Sequence, residues 1–256
     1  MGLVLTVGEG VIEVDDGLVP LLERRCVWSH LRAAGPAGGP RLRLCGRPVS
    51  SETFARGLPL DARRPEWGAL EVEAERVVAH IPADPFAAEA ALRAAVLVSV
   101  LRQGGLLLHA AAVSFAGKAL VIVGPSGAGK STLARAAVAA GGALLSDETV
   151  GLLPSGQVQG SPFRSDPDLV PTCATARLTR LVWVVKGPAE SVSPVAAPEA
   201  VRLLLQQSYR PPPGTVSLPE VTARAVAQVE RVGLHRFTCR KSPEAGTFAR
   251  DFVGAA

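Results

Sequence analysis

The sequence predicts an α/β fold, a mixed sheet with flanking helices preceded by a smaller β-rich N-terminal region. Three observations carry this. An apolar strand, Ala119 to Val123, runs into a glycine-rich turn and then into the helix former Leu-Ala-Arg-Ala-Ala-Val-Ala-Ala. From residue 84 onward, strand-like and helix-like segments alternate, as a sheet covered by helices requires. Residues 1–83 instead read as short strands and turns, which divides the chain into residues 1–83 and 84–256.

The elements follow in order. Leu3 to Val7, Val11 to Val14, Arg41 to Cys45 and Leu70 to Ile81 carry alternating or β-branched patterns, with Gly35-Pro-Ala-Gly-Gly-Pro40 and Arg63-Arg-Pro65 as loops. Trp28, His30 and Trp67 read as packing residues. Asp84 caps a helix that opens with Pro85 and ends at Gly104-Gly105. Leu106 to Phe115 reads as one strand, 116–118 as a tight turn, and Ala119 to Val123 as the next strand. Gly141-Gly142 stops the helix after the glycine turn, and Ala143-Leu-Leu-Ser-Asp147 is a strand ending in a carboxylate. Its place is expected beside the strand that enters the glycine turn. A hairpin covers 150–160, Thr179 to Val185 is a buried strand, and helices follow from Ala197-Pro-Glu199 and over 216–232. A strand at His235 to Cys239 and a short terminal helix complete the chain.

The glycine turn fits a phosphate-loop template, Gly124-x4-Gly129-Lys130-Ser131. Small residues let successive backbone N–H groups turn inward around a polyphosphate, and the helix that follows adds the positive end of its dipole. Gly124, Pro125, Ser126, Gly127, Ala128, Gly129, Lys130, Ser131 and Thr132 are therefore expected to bind the nucleotide. Lys130 reaches the outer phosphates and the Ser131 hydroxyl holds Mg²⁺. Only four of the 27 basic residues are lysines, so a lysine placed in this loop is hard to assign to composition. Asp147, one helix and one strand later, is the expected second Mg²⁺ ligand or the proton acceptor. Glu148 and His109 are the other candidate catalytic residues, and Arg164 is a candidate mobile cation.

Composition excludes several classes. The formal charge of +4 is uneven, with 12 basic and 13 acidic residues in 1–105 against 15 and 10 in 106–256, and the excess on the part that holds the loop suits an anionic ligand. With 4% aromatic residues and no basic run, nucleic acid is not expected as a partner. The longest strongly apolar segment, Ala94 to Leu101, lies between Arg93 and Arg102 and is far too short to span a bilayer, so no membrane partner is expected. Met1-Gly2 starts a myristoylation-like pattern, but the following alternation reads better as a strand. There is no basic leader of a secretory signal. Cys26, Cys45, Cys173 and Cys239 are widely spaced and read as free thiols in a reducing, cytoplasmic setting.

Leu108-His109, Gly124-Pro-Ser-Gly-Ala-Gly-Lys-Ser131 and Leu144-Leu-Ser-Asp-Glu148, in this order, resemble the catalytic domain of the HPr kinase/phosphorylase family. Gly160-Ser-Pro-Phe163, Pro198 to Leu204 and Phe248 to Val253 resemble diverged members of the same superfamily. The resemblance implies a phosphoenolpyruvate-carboxykinase-like phosphate-loop fold, ATP and Mg²⁺ as cofactors, and transfer of a phosphoryl group to a serine. Asp147 and Glu148 then correspond to two family aspartates. The chain departs from the family at Pro125, where an Asp is usual, and at Glu148. The expected function is an ATP-dependent phosphotransferase acting on a Ser/Thr hydroxyl of a protein or peptide, with a homo-oligomer allowed. Two alternatives stand beside it. One is a nucleotide-sensing module with little turnover, and the other is a small-molecule kinase.

Overall fold

The computed structural model describes residues 3–31, 40–50, 57–61, 63–172 and 174–255. Cys173, the Met1-Gly2 start and residues 35–39 of the first glycine-rich loop lie outside the described residues.

The chain forms a mixed α/β structure with two mixed sheets. The first sheet contains β1 (Leu3–Val7), β2 (Gly10–Val14), β3 (Arg41–Arg47), β4 (Leu58–Pro59), β5 (Ala69–Val72) and β6 (Arg76–His80), in the order β1-β2-β3-β6-β5-β4. A short helix, α1 (Val19–Leu22), follows β2. The stretch expected as one strand over 70–81 is a hairpin, because β5 and β6 pair antiparallel about the turn at residues 73–75.

Helix α2 (Pro85–Arg102) begins as its sequence demands. The Asp84 carboxylate accepts from the amides of Phe86 and Ala87, both at 2.9 Å, and Pro85 occupies the first turn. The helix is apolar on nearly all sides, a pattern that requires cover all round. Its Leu92, Ala95 and Val96 share a core with Leu5, Ile12 and Leu44 of the first sheet, while Leu107 and Phe163 join the same core from the second half of the chain.

The second sheet is built from β7 (Leu106–His109), β8 (Ala111–Phe115), β9 (Lys118–Val123), β10 (Ala143–Ser146), β11 (Thr149–Leu152), β12 (Gln157–Gln159) and β13 (Thr175–Lys186), with β14 (Ser191–Pro194) and β15 (His235–Cys239) joined to it. Its order is β10-β8-β9-β13-β12-β11-β7, and β15 runs parallel to the far half of β13. Helices cover both faces. Along β9, Ala119, Val121 and Val123 face the core that holds Leu203 and Leu204 of α4 (Ala197–Gln207) and Val221 and Ala225 of α5 (Leu218–Val232). Leu120 and Ile122 point the other way, to Leu133 and Ala137 of α3 (Lys130–Ala139) and Ala245 and Ala249 of α6 (Glu244–Gly254). The two-residue period of a strand thus feeds both layers.

Two expectations are corrected. The run 106–115 is two strands, since β7 pairs with β11 whereas β8 pairs with β9 and β10; the break falls at Ala110, whose amide donates to the Glu148 carbonyl. The strand leading to Asp147 is not beside the loop strand either. The tight β8–β9 hairpin fills that edge of β9, and β10 pairs on the outer side of β8.

Candidate functional site

Strands β9, β13 and β15 are mutually parallel, so their carboxyl ends share one edge of the sheet. Open α/β sheets present their ligand crevices at such an edge. The loop after β9 is the predicted glycine turn. Gly129, at φ 108°, is the N-cap of α3 and places the helix start toward the crevice in a backbone conformation that disfavours a side chain. A cavity of about 650 Å³ opens there, lined by loop residues 126–132 together with His109, Asp147 and Ser165. The ends of β13 and β15 also line it, with Lys186, Arg240 and Lys241.

Lys130 is buried, and its Nζ donates to the carbonyls of Gly124 (2.9 Å) and Pro125 (3.3 Å). Burial lowers its pKa. Asp147 is also buried, which raises its carboxyl pKa against the opposing hydrogen bonds from Ser165 and Asp166. Those bonds are specific. Ser165 Oγ donates to Asp147 Oδ2 at 2.7 Å, and the amides of Ser165 and Asp166 donate to the same carboxylate at 3.2 and 2.8 Å. Ser165 Oγ also stands 3.3 Å from Ser131 Oγ. One hydroxyl therefore links the loop serine to the carboxylate. Asp166 in turn pairs with Arg135 of α3.

His109 ends β7 and borders the cavity. Burial and then the Lys130 charge lower its pKa, which favours the neutral ring. Glu148 does not join the site. It follows Asp147 in the bend between β10 and β11, and its carboxylate accepts from Arg93 Nη1 of α2 at 2.7 Å. Gly124 and Pro125 contribute through their carbonyls, not as lining. Arg164 donates to the Pro167 carbonyl at 3.1 Å.

Four contributors were not legible in the sequence. Ser165 lies in the irregular segment between β12 and β13, while Lys186, Arg240 and Lys241 meet only through the β13–β15 pairing. Lysine scarcity was the available signal, since three of the four lysines in the chain line this one cavity. Cys26 and Cys239 are buried free thiols and Cys45 is half-buried; burial pushes Cys26 up to about 12, so it is inert at neutral pH. Among the described residues no group of three or more His, Cys, Asp or Glu could hold a metal ion, and no helix is long and apolar enough to cross a membrane.

Fold and site together define a mixed α/β protein with a glycine loop, a buried lysine and a buried carboxylate around one crevice. No family model matches the chain, and no curated protein matches it. Among solved structures it is similar to the Hpr(Ser) kinase/phosphatase from Coxiella burnetii, at 13% identity and a TM-score of 0.30, over 58% of this chain and 94% of that one. A likeness this distant carries no functional argument.

Proposed function

We propose that the chain is an ATP-dependent phosphotransferase that moves the γ-phosphoryl group to a hydroxyl, a serine of a protein or peptide. One observation carries this reading. A serine hydroxyl, that of Ser165, rests on a buried carboxylate beside the glycine loop, the arrangement an acceptor hydroxyl needs.

The roles follow from the chemistry of each group. The loop amides and the start of α3 meet the outer phosphates. Lys130 supplies a cation there, and Lys186, Arg240 and Lys241 along the same crevice answer the remaining negative charge. Asp147 accepts the proton of the incoming hydroxyl at Oδ2. Neutral His109 borders the crevice beside it as a hydrogen-bonding group. Ser131 and Asp147 fit Mg²⁺, because a hydroxyl and a carboxylate linked through one intervening oxygen are the hard oxygen donors it takes, and Mg²⁺ sites beside phosphates use few protein ligands. When bound, the ion would neutralise charge building up on the phosphates.

The test is Asp147→Asn, which keeps shape and removes charge. Single-turnover transfer should fall by about 10²–10⁴-fold, with nucleotide affinity reduced far less. Equal transfer rates in wild type and variant would exclude the role of Asp147. ATP binding without transfer to any peptide would favour the nucleotide-sensing alternative.

A further inference from the structure

Ser165 does more than resemble an acceptor. It is exposed, it lines the cavity, and its hydroxyl donates to Asp147 Oδ2 at 2.7 Å while lying 3.3 Å from the Ser131 hydroxyl. Its position is held from several directions. The Ser146 hydroxyl donates to the Phe163 carbonyl at 3.3 Å, Asp166 pairs with Arg135 of α3, and the Thr172 amide donates to the Leu144 carbonyl at 2.9 Å. The backbone amides of Ser165 and Asp166 on Asp147 fix the residue from its own side. A serine on a segment built this way does not need to diffuse to the base. It is already there, at an effective concentration no separate peptide matches.

We infer that Ser165 is itself a phosphoryl acceptor, modified in cis by the nucleoside triphosphate held on the glycine loop. The inference rests on the phosphotransferase reading. In the step, Ser165 Oγ bonds to the γ-phosphorus and the bond from that phosphorus to the β,γ-bridging oxygen breaks. The electron pair leaves with the nucleoside diphosphate, and the hydroxyl proton passes to the Asp147 carboxylate. The product places a phosphate of about −1.5 to −2 charge beside Asp147 and Ser131, where the next triphosphate must bind. Modification therefore opposes nucleotide binding and limits itself to one round. An external acceptor, by the same geometry, competes with Ser165 for Asp147.

The full chain is incubated with Mg²⁺ and γ-labelled ATP without any acceptor, and phosphate is located by intact mass and fragmentation. The expected result is one phosphoryl group per chain, on Ser165, at a rate constant unchanged on tenfold dilution of the protein. Ser165→Ala should lose the label, and Ser165→Thr should retain it as phosphothreonine at a lower rate. A second readout needs no turnover. Titration with Mg²⁺ and a non-transferable ATP analogue should show the phosphorylated chain, and Ser165→Asp, binding at least about tenfold more weakly than the unmodified chain. Analogue binding with no label, label on another residue, or labelling that slows on dilution overturns the inference while leaving nucleotide binding standing. Failure of the unmodified chain to bind the analogue overturns the phosphotransferase reading and this inference with it.

Discussion

Among the described residues the partners of the Lys130 ammonium are the carbonyls of Gly124 and Pro125, and burial lowers its pKa. Among the described residues this buried ammonium is held by carbonyls without a counter-charge, which an anionic phosphate would supply. Lys130→Met and Ser131→Ala should therefore each weaken Mg-ATP binding at least about tenfold, close to 1.4 kcal/mol. Calorimetry showing unchanged affinity in both variants would refute nucleotide binding at this loop. The loop residues were legible because the template constrains residue type at fixed spacing. Asp147 was legible because an apolar run delivers it to a strand end. Ser165 was not, since its segment has no periodicity and its importance comes from a contact made 18 residues away from Asp147.

At the scale of elements, the loop helix α3 is held by the terminal helix α6, and the contact is very close. A Cβ built on Gly246 would lie 2.0 Å from the Ala136 carbonyl oxygen and 2.3 Å from its carbon. Backbone atoms cannot yield as a flexible side chain does, so Gly246→Ala must push the helices apart. The expected cost is about 1–3 kcal/mol, a drop in Tm of roughly 2–4 °C per kcal/mol in a chain of this size. Ala245, beside Gly246, lines the cavity, so nucleotide affinity should fall too. Gly254→Ala, where an added Cβ meets nothing within 4 Å, is the control and should leave Tm unchanged. Equal Tm for Gly246→Ala and wild type would refute the close packing. This dependence could not be read from the sequence, where Gly246 looks like a weak point in a helix. Helix α2 was legible through its Asp84 cap, whereas the capping box that Ser217 forms with Glu220 at the start of α5 went unread. Strand pairing was less so. β7 and β8 read as one strand in the sequence, with His109 between their apolar stretches, and their different partners separate them. β14 went unseen because its residues are mostly exposed and carry no apolar alternation.

Across the whole molecule, Arg93 ties the two sheets' surroundings together. From α2 its guanidinium donates to Glu89 (2.6 Å), Glu148 (2.7 Å), Tyr209 (2.9 Å) and Thr149 (3.0 Å), and it lies over the Phe163 ring at 4.5 Å. Arg25 joins from the first half through Glu89. Burial works against the Arg93 charge, but Tyr209, Glu148 and Glu89 more than offset it and raise its pKa. Removing this cation leaves the Glu89 and Glu148 carboxylates, both largely buried, short of their partner. Arg93→Met should cost about 3–5 kcal/mol and lower Tm by roughly 10 °C. Arg93→Lys should recover only part of this, because three donors on a flexible stem cannot serve four partners arranged around a planar fork. Glu148→Gln should cost less than Arg93→Met, and the double variant less than the sum of the singles, since the two act in one network. The same comparison separates structure from chemistry at neighbouring residues. Glu148→Gln should leave nucleotide affinity unchanged in calorimetry, whereas loss of affinity comparable to Lys130→Met would place Glu148 in the site after all.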